Sequence, residues 1–380
     1  MDQPEVDWQR CVGEEMYWRA VRLTLQQALQ TRSPAGLSLA GLPPSSQLAP
    51  SAPESRGRPA KVFRQETLVA LTALLLFVVF SLVLPKFFTI ANCLLLLKNI
   101  SVLAILAIAM AIVVIGRGID LSQVAVLAIT SAWTISLIAD GKPLGLAILL
   151  GFFLALAFGM ANGVLVAYAE IPSVIATLAF GLIVGGFGRY ALLSQSLIQV
   201  PDDQHFIYWL GQGKFAGLAT SVVIFLLLLG AFAFLMRLTT YGRFIYAIGD
   251  NYDAARITGL NVRPIVVSQY AVCAAVTYIA GLVLAGNVGS VNQTVVTGAM
   301  IFDVLTVVVV GGISLVGGRG GAFSIICGVA LVGVLLNGLV IMNVQTDVQN
   351  ILKSFVLLAA IVADTLINPR DEETAKQGDL

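Results

Sequence analysis

The chain has 380 residues, of which 58% are hydrophobic and only 11% are charged, and its net charge is +1 at pH 7. Soluble domains carry about 25% charged residues, so this composition excludes an ordinary soluble enzyme and is typical of a protein lying mostly in a bilayer. The near-zero net charge provides no basic surface for nucleic acid. The single histidine, His205, and four widely separated cysteines show no metal-ligand spacing, so we expect no metal and no cofactor.

Residues 1–64 are predicted to be a disordered cytoplasmic extension and linker. The first half is acidic and mixed, with approximately helical spacing of its apolar residues, and residues 33–60 are rich in Ser, Pro, Ala and Gly. A secretory signal needs a basic start followed by an apolar core, and this segment has neither. Two interpretations stay open, a genuine appendage or a start codon assigned too far upstream.

Residues 65–368 are predicted to form an all-α, polytopic transmembrane domain. A spanning helix needs about 20 apolar residues, and such segments follow one another from residue 67 onwards. We expect about ten spans, near 67–84, 94–115, 121–138, 144–168, 173–192, 218–236, 265–286, 302–317, 322–343 and 351–367. The shorter ones, 121–138 and 302–317, are candidates for broken or re-entrant helices.

Basic residues predict the orientation of these spans. Four Lys or Arg residues lie between positions 56 and 64, just before the first span, and such an excess marks the cytoplasmic side. Ten spans then return the tail, residues 369–380, to the same side, where Arg370 and Lys376 lie. The polar loop 237–264 also falls on the cytoplasmic side.

Two glycine-rich breaks interrupt the apolar segments. Residues 116–122 read Gly-Arg-Gly-Ile-Asp-Leu-Ser, and residues 311–321 read Gly-Gly-Ile-Ser-Leu-Val-Gly-Gly-Arg-Gly-Gly. The partial echo suggests an internal repeat, and paired breaks of this kind point to the central pathway of a transporter. The alternative is a pair of tight cytoplasmic turns. No Lys-Ser or Lys-Thr follows the second break, so it is not a phosphate-binding loop.

Polar residues within apolar segments are the candidates for contact with a solute, because burying them in lipid is costly. We expect Asn162 and Asp303 to face the pathway, together with Asp120 and the glycines Gly118 and Gly311. For each of the polar side chains, a structural role between helices is an equally good explanation.

Three other polar residues have simpler interpretations. Asn337 is expected to join helices by hydrogen bonds, and Arg189 and Asp364, near predicted helix ends, are expected to reach towards the interface. No nucleophile–base pair can be assembled from the sequence, so we expect no catalysis in this chain.

The loop 237–264 is the longest well-patterned polar segment between apolar runs, and it carries four arginines. Asp250 is a plausible N-cap, and Gly259 can end a helix in the left-handed conformation. These start and stop signals predict a helix of about ten residues, roughly 15 Å long. Ala254 and Ala255 would give it a small face for docking, while a mere connector between two spans is the alternative.

At these residues the chain resembles the permeases of sugar-type ABC importers. The text Gly-Arg-Phe-Ile-Tyr-Ala-Ile-Gly-Asp-Asn, then Ala-Ala-Arg and Gly259, is similar to the cytoplasmic coupling loop of that family. Both breaks are similar to the family's Gly-Gly-Ile-Asp-Leu-Ser-Val-Gly and Gly-Gly-Thr-Ser-Leu-x-Gly-Gly-x-Gly. The resemblance covers residues 65–368.

The chain departs from the family pattern at three places. Arg117 stands where the family has Gly, Gln123-Val124 stands for Val-Gly, and Ile301 interrupts an acidic motif that Asp303 retains. These departures put the identity of the solute in doubt, but not the family.

The resemblance implies that the loop docks on a separate cytoplasmic ATP-binding subunit. It carries this role to Gly242, Arg243, Ala247, Gly249, Asn251, Ala254, Ala255, Arg256 and Gly259. The other implied partners are a periplasmic sugar-binding protein, a second permease as an identical copy or a paralogue, and the lipid bilayer.

We therefore expect a permease that moves a monosaccharide or related polyol inward across the bacterial inner membrane, with ATP hydrolysed on a partner chain. An ion-coupled secondary transporter of a small polar solute is the alternative. It would need a buried ionisable relay, which Asp120 and Asp303 are too few to demand. A membrane-embedded enzyme is a third class, and the sequence shows no catalytic set for it. The sequence does not name the sugar.

Overall fold

The computed structural model describes residues 65–193, 195–293 and 298–367. The predicted extension, residues 1–64, and the predicted tail, residues 369–380, lie outside them. The helices are α1 (Gln65–Val83), α2 (Ile90–Ile115), α3 (Gln123–Ala139), α4 (Leu144–Ala167), α5 (Ser173–Phe187), α6 (His205–Gln212), α7 (Thr220–Leu238), α8 (Thr240–Asp250), α9 (Tyr252–Ile257), α10 (Val262–Val288), α11 (Met300–Val310), α12 (Ala322–Ile341) and α13 (Thr346–Ile367). A π-helical turn, Gly188–Leu192, follows α5, and the short strands are β1 (Leu197–Gln199), β2 (Lys214–Phe215), β3 (Leu218–Ala219) and β4 (Ser290–Asn292).

A helix occupies each of the ten segments predicted to cross the membrane. Seven helices of the described chain are long and apolar enough to do so, namely α1, α2, α4, α5 with its π-helical turn, α7, α10 and α12. Helices α3 and α11 are shorter, with 17 and 11 residues. The all-α, multi-pass fold class is confirmed, and the number of crossings stays a prediction.

The predicted segment 302–317 is wrong in its second half. Helix α11 ends at Val310 because the chain turns there, with Gly312 at a φ of +95°. A φ in this range is readily adopted only by glycine.

Helix α2 forms the centre of the bundle. Every residue from Ile100 to Ile115 is buried, and all of them are apolar except Ser101, whose hydroxyl donates to the Lys98 carbonyl oxygen at 2.7 Å. Helices α7, α10, α11 and α12 pack against it. A helix that is apolar on all sides belongs in the interior of such a bundle.

Helix α10 lies along α4 through two glycines. A Cβ atom at Gly159 would come within 2.5 Å of the Tyr270 carbonyl oxygen, and one at Gly163 within 2.6 Å of the Val267 Cα atom. Only small residues allow helices to approach this closely. With 27 residues, α10 is about 40 Å long and connects the two ends of the bundle.

A small cap, made of the four short strands and α6, covers the end of the bundle at which α10 finishes, and the sequence patterns did not predict it. Strand β1 pairs antiparallel with β4, so that Ile198 lies opposite Val291. Helix α6 packs on the last turns of α10, where Gly211 contacts the backbone of Gly286. Helices α8 and α9 immediately precede the first residue of α10 and therefore lie at the opposite end.

Candidate functional site

The first break lies between α2 and α3, and an internal carboxylate holds it. Asp120 Oδ1 accepts hydrogen bonds from the Ser122 amide at 3.0 Å and the Ser122 hydroxyl at 2.6 Å. The Asn162 side-chain amide donates to the same hydroxyl at 2.6 Å. Because Asp120 is 2% exposed and Asn162 is fully buried, these bonds replace the water that both side chains have lost.

Side chains of α5 satisfy the backbone of the same break. Thr177 Oγ1 accepts from the Leu121 amide at 3.0 Å, and Ser173 Oγ accepts from the Ile119 amide at 3.2 Å. Non-helical backbone needs such partners when it is buried away from water. The break is therefore a braced turn rather than a loose loop.

The backbone geometry at two residues explains why the sequence of this turn is rich in glycine. Gly118 has no room for a side chain, since a Cβ there would come within 2.6 Å of the Tyr270 hydroxyl oxygen. Arg117 has a φ of 72°, a conformation that favours glycine. Arg117 therefore adopts a strained backbone that a glycine would adopt freely.

The second break lies between α11 and α12, and two carboxylates from other helices hold it. Asp364 Oδ2 of α13 accepts from the Leu315 amide at 3.3 Å and from the Ser314 hydroxyl at 3.4 Å. Glu66 of α1 accepts from the Ser324 hydroxyl at 2.5 Å. The expectation that Asp364 reaches towards the interface is wrong, because its side chain is 4% exposed and bonded to this turn.

The predicted pathway residues do not form one group. Asp120, Asn162 and Gly118 lie together at the first break, whereas Gly311 packs against the Val307 and Ser324 carbonyl groups at the start of the second. Asp303 lies apart from both and forms an ion pair with Lys353 at 2.8 Å.

The loop between α7 and α10 contains two helices, and the prediction of which residues begin and end a helix there is partly wrong. The Asn251 side chain, not Asp250, caps α9 by accepting from the Ala254 amide at 2.9 Å. Asp250 is the last residue of α8, so α9 has six residues rather than about ten. The prediction for Gly259 is confirmed, since its φ is +85° and the chain reverses there.

Of the nine residues to which the resemblance assigns a docking role, some are buried and others are exposed. Gly242, Gly249 and Ala255 are buried, while Arg243, Ala247, Asn251, Ala254, Arg256 and Gly259 are exposed. Ala255 is only 5% exposed and packs with Ile248 and Val262 of its own chain. The most exposed apolar side chain of the loop is instead that of Ile257, at 85%.

Both breaks meet α8 at a single point, which we call the glycine junction (Ile115, Gly249, Gly317 and Gly318). The Gly318 amide donates to the Ile115 carbonyl oxygen at 2.9 Å, joining the second break to the end of α2. A Cβ at Gly249 would contact that same carbonyl oxygen and lie 2.5 Å from the Gly318 nitrogen, and one at Gly317 would lie 2.7 Å from the Gly249 carbonyl oxygen. Three chain segments therefore touch backbone to backbone.

Tyr246 adds a side-chain bond next to the glycine junction. Its hydroxyl donates to the Gly320 carbonyl oxygen at 2.7 Å, linking α8 to the second break. Burial is the main reason that the pKa of Tyr246 is raised above its ordinary value. The phenol thus stays protonated and able to donate at physiological pH.

These features define a class, a multi-pass helical membrane protein with two braced breaks and a polar coupling segment that contacts both. The family described as "Branched-chain amino acid transport system / permease component" matches residues 92–361, and the chain belongs to it. It is a transport subunit of the inner membrane and not an enzyme.

Curated relatives agree with this assignment. The ribose import permease of Escherichia coli strain K12 is 33% identical over 306 residues, covering 80% of this chain and 94% of the relative. The galactofuranose transporter permease of the same strain is 31% identical over 319 residues, covering 81% and 92%. The fructose import permease of Rhizobium meliloti is 30% identical over 289 residues, covering 74% and 80%. No solved structure matches the chain.

Proposed function

We propose that this chain is the membrane subunit of a bacterial ABC importer and moves a monosaccharide or related polyol inward. The three relatives are named for ribose, galactofuranose and fructose, and these sugars share a polyhydroxylated ring. The family description names branched-chain amino acids, which makes an amino acid the second candidate class of solute. The identity of 30–33% with three sugar permeases favours the sugar class.

The glycine junction is the observation that carries the transport mechanism. It brings α8 into backbone contact with both breaks, so a displacement of α8 acts on the end of α2 and on the second break together. Packed backbones transmit a shift as a rigid unit rather than absorbing it. ATP-driven movement at α8 and α9 would thus alter both halves of the pathway at once.

The docking face that we propose differs from the one predicted by sequence. Ala255 faces its own chain, so the surface offered to an ATP-binding subunit consists of Ala254, Ile257 and the arginines around them. Ile257 is exposed at 85% on a polar segment, and an isolated apolar side chain of this kind suits an anchor in a partner's groove.

We further propose ten crossings, with both termini and the α8–α9 segment in the cytoplasm. The cap that contains α6 would then face outward, where a periplasmic sugar-binding protein delivers the solute. A second permease, identical or paralogous, completes the assembly. Residues 1–64 form a separate cytoplasmic extension in this arrangement, and residues 369–380 form a cytoplasmic tail.

The predicted pathway residues have unequal support. The bonds of Asp120 and Asn162, and the close packing of Gly118 and Gly311, suit residues that hold the breaks in shape. Their contact with solute stays a prediction. Asp303 has surroundings of a different kind, since it pairs with Lys353 rather than bracing a break.

The test is transport by the assembled system. The chain would be expressed with its proposed ATP-binding and binding-protein partners, and uptake of labelled ribose, fructose and leucine would be measured in membrane vesicles. ATP-dependent sugar uptake that survives an ionophore is the expected result. Uptake that needs no ATP and collapses with the ionophore would instead support an ion-coupled transporter.

A further inference from the structure

A cavity of about 330 Å³ lies between α11 and α13, away from both breaks. Each helix contributes one face to it, with residues at positions i, i+3, i+4 and i+7. On α11 these are Ala299 at its N-cap, then Phe302, Asp303 and Thr306, and on α13 they are Asn350, Lys353, Ser354 and Leu357. Leu358 and Ile361 of α13 complete the lining, which therefore combines five polar and five apolar residues. The charged residues among them are the costly feature in a membrane domain.

An ion pair bridges the two faces. Lys353 Nζ lies 2.8 Å from Asp303 Oδ1 and 3.0 Å from Oδ2, and the two side chains are 14% and 18% exposed. Asp303 precedes Gly311 by eight residues, which places it about 12 Å along α11 from the second break. The pair lies between α11 and α13 and is largely shielded from the surface, and charged side chains in such a position of a membrane domain are costly and mark functional sites.

Other groups of the cavity are available to a ligand. The Asn350 side-chain amide forms no hydrogen bond with any described residue, and it can both donate and accept. Phe302 is 56% exposed and offers an apolar ring beside the carboxylate. A volume near 330 Å³ is at the lower end of the range for small-molecule sites.

We infer that this cavity binds the transported solute, and that the solute is a neutral polyhydroxylated ring. Its hydroxyl groups would donate to Asp303 and accept from Lys353 and Asn350, while its C–H face would lie on Phe302. The inference rests on the proposed function and adds a site to it, because Lys353, Asn350 and Phe302 carry no role in the coupling argument.

A purely structural ion pair makes a different prediction from a binding site. If Asp303 and Lys353 only clamp α11 to α13, exchanging their charges restores the clamp and restores uptake. If the carboxylate accepts from solute hydroxyls at its own position, the exchange restores assembly but not uptake. The double variant Asp303→Lys with Lys353→Asp separates the two cases.

The experiment measures initial rates of labelled ribose and fructose uptake in vesicles, together with the amount of each variant in the membrane. It also measures ATP hydrolysis stimulated by the loaded binding protein. We expect Asp303→Asn and the exchanged pair to lose about tenfold or more of uptake per molecule, because a hydrogen bond to a charged group is lost. Stimulated hydrolysis should persist, since the glycine junction is intact.

Asn350→Ala and Phe302→Ala leave the ion pair untouched, so they decide the question if the charge variants fail to assemble. Both should raise the half-saturating sugar concentration, whereas the matched control Phe355→Ala, at a side chain 66% exposed on α13 and outside the cavity, should not. Normal uptake in Asn350→Ala, Phe302→Ala and the exchanged pair would overturn the inference. Absence of sugar uptake by the unaltered chain would instead overturn the proposed function.

Discussion

At the scale of single residues, two groups of shielded polar side chains differ in what they contact. Asp120, Ser122 and Asn162 bond to one another and to the backbone of a turn, so that they hold a shape. Asp303 and Lys353 bond to each other beside a cavity. Shielding polar groups from water costs free energy in both places. At the first break these groups hold the turn in shape, and in our proposal Asp303 and Lys353 recognise the solute.

The bracing role of Asn162 can be tested directly. Asn162→Ala removes the donor to the Ser122 hydroxyl and should lower the stability of the protein by about 1–3 kcal/mol. Thermal unfolding in detergent should show a lower Tm, and uptake should fall in proportion to the folded protein in the membrane. An unchanged Tm with lost uptake would show that Asn162 contacts solute.

The close packing of the glycine junction predicts that adding one methyl group at Gly249 will destabilise the protein. Gly249→Ala places a Cβ against the Ile115 carbonyl group, and overpacking of this kind costs about 1–3 kcal/mol. Uptake should fall more than the amount of protein in the membrane. The matched control is Gly230→Ala in α7, where a Cβ meets nothing within 4 Å. Equal uptake by both variants would refute the proposed coupling route.

At the scale of elements, α8 and α9 divide the coupling task. Helix α8 contacts the breaks through Gly249 and Tyr246, and α9 presents Ile257 to the outside. One helix thus faces inward to the pathway and the other faces outward to a partner. The tight connection at Asn251 joins them into one unit.

The division predicts opposite outcomes at two neighbouring positions. Ile257→Asp should leave the permease folded and inserted but weaken co-purification of the ATP-binding subunit, since burying an isoleucine contributes about 1.5–3 kcal/mol. Ala255→Trp should instead reduce the amount of folded permease, because Ala255 is 5% exposed within its own chain. Pull-down assays and membrane abundance measure the two effects. Unimpaired co-purification of Ile257→Asp would remove α9 from the docking surface.

Local features of the fold could be predicted from the sequence, and contacts between distant segments could not. Apolar runs predicted where the helices lie, and Gly259 predicted a left-handed helix end, because both depend on neighbouring residues. The cap was assigned to Asp250 rather than Asn251 because adjacent residues of similar chemistry look alike in a pattern. The glycine-rich sequences indicated where the helices break, but they did not indicate that Gly249 contacts both breaks.

The candidate site shows the same limit. Asp303 is identifiable as an acid within an apolar run, but its partner Lys353 is 50 residues away and no pattern in the sequence connects the two. Asp364 was misjudged for the same reason, since its bond to Ser314 depends on how α13 folds back. Packing determines such pairs, and spacing along the chain does not.

At the scale of the whole molecule, the transmembrane domain is expected to work without the N-terminal extension. Residues 1–60 have linker composition and no apolar span, so deleting them should leave insertion and sugar uptake intact. Uptake by vesicles that contain the shortened chain, compared at equal membrane abundance, measures this. Loss of the ATP-binding subunit on deletion would show that the extension takes part in docking.

The burial of α2 has a consequence for how the protein is made. Residues 100–115 have no face left for lipid, yet α2 is the second helix of the described chain to be made, and three helices that cover it, α7, α11 and α12, follow much later. Until they arrive, α2 must lie in lipid, where its apolar surface is equally soluble. Helix α2 therefore cannot be fully enclosed by its neighbouring helices until the last third of the chain has been translated. A chain stopped after α5 should insert normally but expose α2 to quality-control proteases.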